Sequence, residues 1–199
     1  MAKNILIVNY KVGSEAYQAL SEMKRETGND NYVILQAIVV KMEDGQLVAQ
    51  DGFDTGVATA DDTWKGGLLG SLIGILGGPF GVLLGGSLGL AIGNAVDVGD
   101  ALKNASLIQR AGECIAEGET ALILLADEQY ETALTAKLNS FDVTITRLAA
   151  DEVEAEVRHA AEVERKLAKE EREKYIAEKR EEINDNLTDL YNKSTDLKL

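Results

Sequence analysis

The apolar positions of the first 60 residues alternate between two periods. Asn4–Asn9 (NILIVN) is a short, β-branched apolar run that suits a buried strand. Ser14 follows Gly13 and is placed to cap a helix running to about Thr27, with Gly28 placed to end it; Ala16, Ala19, Leu20 and Met23 form its narrow apolar face. Asn31–Met42 is again β-rich. Glu43-Asp44-Gly45 then reads as a hairpin turn into Gln46–Gln50. The predicted order is β-α-β-β.

A second β-α-β unit follows Asp97. Ala101–Glu117 has helical spacing, with Ala101, Leu102, Ala105, Ile108 and Ile115 on one side and Gly118 as its stop. Thr120–Ala126 is a continuous apolar strand, Glu128–Asn139 a helix that Asp127 is placed to cap, and Phe141–Leu148 an alternating strand. Two such units predict an α+β fold, a ferredoxin-like split β-α-β sheet with helices on one face. A doubly wound fold needs more α/β repeats than the pattern supplies.

From Ala149 the pattern becomes polar. Between Asp151 and Glu182, 20 of 32 residues are charged and none is Gly or Pro, which predicts one long helix reaching about Tyr191. Glu154–Arg158, Glu162–Lys166 and Glu170–Lys174 are favourable i,i+4 pairs along it. Ile176, Ile183 and Leu190 recur every seven residues with Leu187 between them, and Val153, Val157, Ala160 and Leu167 form a thinner stripe upstream. The two readings of this arm are a solvated, salt-bridged helix and a contact arm for another copy of the chain.

Between the two units, Gly66–Val96 is 31 residues without a charged side chain. Gly66, Gly70, Gly74 and Gly78 are four apart, and so are Gly81, Gly85, Gly89 and Gly93. Residues four apart share a helix face, so each run lays a groove without side chains along one side. Pro79 breaks the two runs, which predicts a helical hairpin. An interior Gly costs about 0.8–1.0 kcal/mol against Ala, so this many glycines require compensation by close backbone approach. The chain thus divides into 1–60 and 97–148 as two halves of an α/β domain, 61–96 as a glycine-zipper hairpin, and 149–199 as a charged arm.

Three readings of the hairpin compete. Hairpins of several subunits pack together; or the hairpin, residues 66–96, enters membrane lipid; or its arms pack on each other and on their own domain. The uncharged run favours lipid. Each arm, however, has about 13–17 residues, or roughly 20–26 Å, which is short of a roughly 30 Å hydrocarbon core. Asp61, Asp62, Asp97 and Asp100 flank it with Lys65 as the nearby cation, which gives positive-inside logic little support.

Composition narrows the functional classes. A net charge of −14 repels nucleic-acid phosphate. One Cys and one His make neither a disulfide framework nor a zinc cage. MAKNILIVNY has too short an apolar run for a signal peptide's core, so the expectation is a cytoplasmic protein, membrane-associated in the lipid reading. No Gly-Lys-Ser or Gly-Lys-Thr occurs, and a four-residue glycine period belongs to a helix rather than a phosphate loop. Cys114 and His159 fall in different elements and read as a small core residue and a solvated side chain. Asp51, Asp54, Asp61 and Asp62 cluster in a predicted loop but lack EF-hand spacing, and they read as helix-capping and solubilising residues, with weak divalent-ion binding as the alternative.

Trp64-Lys65-Gly66-Gly67, the GLLGSLIGILGGPFGVLLGGSLGLAIGN run, and Gly118-Glu119-Thr120-Ala121-Leu122 before the last β-α-β unit resemble the bacterial domain-of-unknown-function 1269 family. The resemblance spans roughly residues 3–150 and leaves the charged arm outside. It implies a glycine-rich apolar hairpin set into a small α/β domain, commonly described as a predicted membrane protein, and it carries no established activity. The resulting expectation is a non-enzymatic homo-oligomer without cofactor or metal, assembled through the glycine positions, with Ile176, Ile183, Leu187 and Leu190 as contacts of a second arm. The alternative is a membrane-inserted hairpin protein with its polar parts on the cytoplasmic side.

Overall fold

The computed structural model describes residues 2–56, 67–78 and 106–196. In chain order these form β1 (Ala2–Tyr10), α1 (Gly13–Arg25), β2 (Gly28–Asn29), β3 (Tyr32–Glu43), β4 (Gln46–Asp54), α2 (Gly67–Gly77), α3 (Ser106–Glu113), β5 (Thr120–Glu128), α4 (Glu131–Leu138), β6 (Val143–Ala149) and α5 (Ala150–Asp196). Packing divides the chain into a unit 1–161 and a unit 162–199.

The fold is α+β, built on a six-stranded antiparallel sheet of order β2-β3-β5-β1-β6, with β4 paired to β3. β5 runs between β3 and β1, so its residues 121–128 lie in ladders on both edges. The two central strands are apolar in their middles: Ile5, Leu6, Ile7, Val8, Leu122, Ile123 and Leu124 are all fully buried. A strand reads as a continuous apolar run when both faces of its sheet are covered.

One face carries Leu6, Val8, Ala37, Val39, Leu122 and Leu124 beneath α1 and α4, whose Ala16, Ala19, Leu20, Met23, Leu134 and Leu138 complete that core. The alternate strand positions, Ile5, Ile7, Ile38 and Ile123, are equally buried. They belong to the opposite face, because successive side chains point to opposite sides. Helices on one face were the expectation; α2 packs on β3, β4 and β5 as well, and α3 packs on α2. The first turns of α5 bury Val153, Val157 and Ala160. These turns belong to the 1–161 unit, although the charge pattern groups them with the arm.

The turn at Asp44-Gly45 is the predicted hairpin. Both residues have positive φ (53° and 73°), and the Glu117 carboxylate accepts hydrogen bonds from both amides at 2.7 and 2.9 Å. Three predicted boundary roles are corrected. Ser14 lies inside α1, whose cap position is Val12 with no side-chain cap bond. Gly28 opens β2 instead of ending α1, and a Cβ there would lie 2.5 Å from the Tyr32 carbonyl oxygen, so the close strand approach explains the glycine. Asp127 is a strand residue paired with Lys3 and Val33, and α4 starts at Glu131 after Tyr130.

Candidate functional site

Within the glycine segment, residues 67–77 form α2. Among its residues Leu69, Leu72, Ile73, Ile75 and Leu76 are at most 6% exposed. The helix is anchored to the sheet by polar as well as apolar contacts. Gln36 on β3 is fully buried; its Oε1 accepts the Leu69 amide at 3.3 Å and its Nε2 donates to Asp54 Oδ2 at 2.5 Å. At the other end Gly77 lies so close to β4 that a Cβ would stand 2.6 Å from the Leu47 carbonyl oxygen. Leu76 reaches α3, where a Cβ on Gly112 would meet its Cδ2 at 3.2 Å.

The opposite face of α2 is built of small residues. Gly67 has φ +68°, and the Ser71 hydroxyl donates to its carbonyl at 2.8 Å. Ser71 and Gly74 are exposed and Gly70 and Gly78 half-buried. A Cβ built on Gly74 meets nothing within 4 Å. The helix is therefore amphipathic in size rather than polarity: large side chains lie on its own domain, and bare backbone is presented on the other side. Of the sequence-predicted positions, Gly70, Gly74 and Gly78 fall on this segment. Gly66, Pro79, Gly81, Gly85, Gly89 and Gly93 lie outside the described residues, as do Asp61, Asp62, Asp97 and Asp100 and the expected helix start at Ala101.

In the unit 162–199, Tyr175 and Ile176 are exposed, 62% and 41%. Ile183, Leu187 and Leu190 fall on α5, with side chains outside the described set. Glu162–Lys166 pairs at 3.4 Å, and Lys169–Glu173 at 3.9 Å stands where Glu170–Lys174 was expected. In the other unit Glu154–Arg158 forms at 2.8 Å.

Candidate chemistry is sparse. Cys114 is half-buried with its Sγ 3.6 Å from Thr146 Oγ1, and His159 is exposed on α5. Asp51 and Asp54, expected in a loop, are residues of β4; their carboxylates accept the Gly52 and Gly56 amides. Among the described residues no group of three His, Cys, Asp or Glu side chains is arranged to hold a metal ion, and no helix is long and apolar enough to cross a membrane.

Polar residues that the pattern did not single out do the positioning. Glu128, 2% exposed, accepts Arg147 Nε and Nη2 at 3.1 and 3.0 Å and Asn4 Nδ2 at 2.9 Å. Arg147 also donates to Thr135 Oγ1 at 2.7 Å, tying β6 to β5 and α4. Glu156 on α5 accepts the Leu107 and Ile108 amides at 2.9 and 3.1 Å, satisfying first-turn donors of α3. A single charged residue inside an apolar strand, such as Arg147, is the one signal of this network that a sequence reader can use.

A family model described as Protein of unknown function (DUF1269) matches residues 63–162. The chain belongs to this family. The DUF1269 match takes in α2, α3, β5, α4, β6 and the beginning of α5, ending within one residue of the limit of the 1–161 unit. It starts after β4 and runs past the residue 150 at which the resemblance was expected to stop. Neither a curated protein nor a solved structure matches the chain.

Proposed function

We propose that this chain is a non-enzymatic, self-assembling protein of the cytoplasm that binds its own copies through the glycine face of α2, with the C-terminal helix as a second contact arm. The observation that carries this reading is the bare outer face at Gly74, where a Cβ meets nothing although an interior glycine costs about 0.8–1.0 kcal/mol of helix propensity. Retaining glycine at an exposed helix position makes physical sense where another backbone comes close, gaining dispersion and Cα–H···O contacts. The exposed Tyr175 and Ile176 supply the corresponding observation for the arm.

The fold reading belongs to the same proposal. The order β3-β5-β1-β6, with α1 joining β1 to β3 and α4 joining β5 to β6, supports a ferredoxin-like split β-α-β sheet. The glycine segment is then an insertion between its halves.

The test combines native mass with flotation. The untagged protein is floated through a density gradient with membranes, without detergent, and its mass is measured by light scattering beside Gly74→Leu. Self-assembly predicts a multimer that stays at the bottom and a smaller particle for the variant. A protein that floats and resists high salt establishes the lipid-inserted hairpin in its place, and an unchanged mass for Gly74→Leu removes the glycine face from the interface.

A further inference from the structure

The sheet ends differently on its two sides. On one side β4 carries Asp51, Gly52 and Asp54, and it has a bulge at Gln50, the extra residue between the partners of Val39 and Val40. Acidic residues, glycine and a bulge are devices that keep an edge strand from pairing with another chain. On the other side is β6, Val143–Ala149 (VTITRLA), which pairs with β1 and, among the described residues, with no second strand.

β6 has none of those devices. It contains no acid, lysine, proline or glycine, and four of its seven residues are Val, Thr or Ile. Its one charge is withdrawn: Arg147 is held by Glu128 and by the oxygens of Glu131 and Thr135. Asp142, just before the strand, is paired with Lys11. A seven-residue stretch with its charges neutralised internally is unusual on a chain of net charge −14. Two copies of a chain of this net charge repel each other, so an edge whose charges are paired within its own chain is a place where they approach at less cost.

We infer that the edge of β6 that meets no second strand among the described residues is a pairing site for β6 of a second copy, joining two sheets antiparallel across a two-fold axis. The occupant follows from the sequence of the strand. With the axis at Thr144, Thr144 stands opposite itself and Val143 stands opposite Ile145 of the partner subunit, all β-branched pairs of the kind that stabilise antiparallel strands. The isologous arrangement closes on itself. This surface is separate from α2, and it holds or fails independently of the glycine-face proposal.

Thr144 is the exposed residue of the strand, so it is the position to perturb. In Thr144→Lys the axis sets two ammonium groups face to face, whereas Thr144→Val keeps β propensity and pairing. Sedimentation of the full chain is expected to give an apparent dissociation constant at least about fivefold higher for the lysine variant, with the valine variant close to the parent. Hydrogen exchange provides the readout that does not depend on a substitution. Amides of residues 143–145 should exchange faster on hundredfold dilution of the parent chain, and at all concentrations in Thr144→Lys, while Gly74→Leu leaves this protection in place. Exchange of these amides that is independent of concentration, or an association constant unmoved by Thr144→Lys, overturns the inference.

Discussion

Replacing Gly74 by Ala gives opposite signs according to what lies against the outer face of α2. In an isolated subunit the added methyl meets nothing within 4 Å. The substitution then simply removes the glycine penalty in a helix interior and raises stability by about 0.8–1.0 kcal/mol. For a chain of this length each kcal/mol moves the melting temperature by roughly 2–4 °C, so the subunit should gain about 2–4 °C. If copies associate through this face as proposed, the same methyl stands between two backbones and weakens association. The assay is a pair of thermal melts, one at high dilution and one at high concentration, with mass measured at each. Expected is a higher melting temperature in the dilute sample together with a smaller particle in the concentrated one. A lower melting temperature in the dilute sample refutes the reasoning at its base, since it means that the face is packed within the subunit. Gly77→Ala is the internal contrast: its methyl would sit 2.6 Å from the Leu47 carbonyl oxygen, and the backbone shift needed costs roughly 1–3 kcal/mol at every concentration.

The remaining predictions concern the frame that holds α2. Arg147→Met leaves the buried Glu128 carboxylate without its cation and should cost roughly 3–5 kcal/mol, read by urea unfolding; a loss below about 1 kcal/mol would mean that Asn4 alone suffices. Glu156→Ala removes the acceptor for two first-turn amides of α3 and should cost about 0.5–2 kcal/mol, with faster amide exchange confined to residues 107 and 108. Tyr10 is 7% exposed and its hydroxyl has no hydrogen-bond partner among the described residues; burial, then the charges of Glu15 and Glu22, push its pKa up from the ordinary value near 10. The unfolded chain therefore loses this proton first as pH rises, so stability is intact below about pH 10 and falls above it by up to about 1.4 kcal/mol per unit. Tyr10→Phe should flatten that alkaline fall by this amount, and an unchanged slope in stability measured from pH 9 to 11.5 would show that the hydroxyl is not the responsible group.

How much of this architecture was legible depends on which force fixes each part. The strands were readable because β1 and β5 are buried on both faces, and a doubly covered strand leaves a continuous apolar run. The hairpin turn was readable because Asp44-Gly45 is local chemistry. The caps at Ser14 and Asp127 were misplaced because a short polar residue beside an apolar run signals a cap only when no strand or tertiary contact competes. Asp127 lies in a strand paired on both sides, and Ser14 is already one residue inside its helix. Gly28 looked like a helix stop, but its glycine requirement comes from Tyr32, across a strand pair that no local pattern reveals. The second helical layer was missed for the same reason. Its polar anchors join residues far apart in sequence: Gln36 with Leu69, and Glu156 with Leu107 and Ile108.

The apolar content of the glycine segment has to be divided before it is interpreted. Taken whole, 31 uncharged residues look like material for a bilayer or for a large interface. In α2, however, the leucines and isoleucines are already occupied: five of them are buried under the second face of the chain's own sheet, where Ile5, Ile7, Ile38 and Ile123 need cover. Pulling α2 into lipid would uncover that face and break the Gln36–Leu69 link, so insertion of this arm carries a cost that a free hydrophobic hairpin does not have. What the helix has left to offer is a strip of bare backbone at Gly74. A strip of this kind has little apolar area and gains little from lipid, but it permits an approach between helices that side chains would forbid. The division of α2 into a large-residue face and a bare face therefore favours a protein partner over a lipid one. Gly74→Leu turns this argument into a measurement: added apolar bulk should strengthen association with lipid and weaken association with another helix. A variant that floats more readily than the parent and keeps its native mass would reverse the assignment.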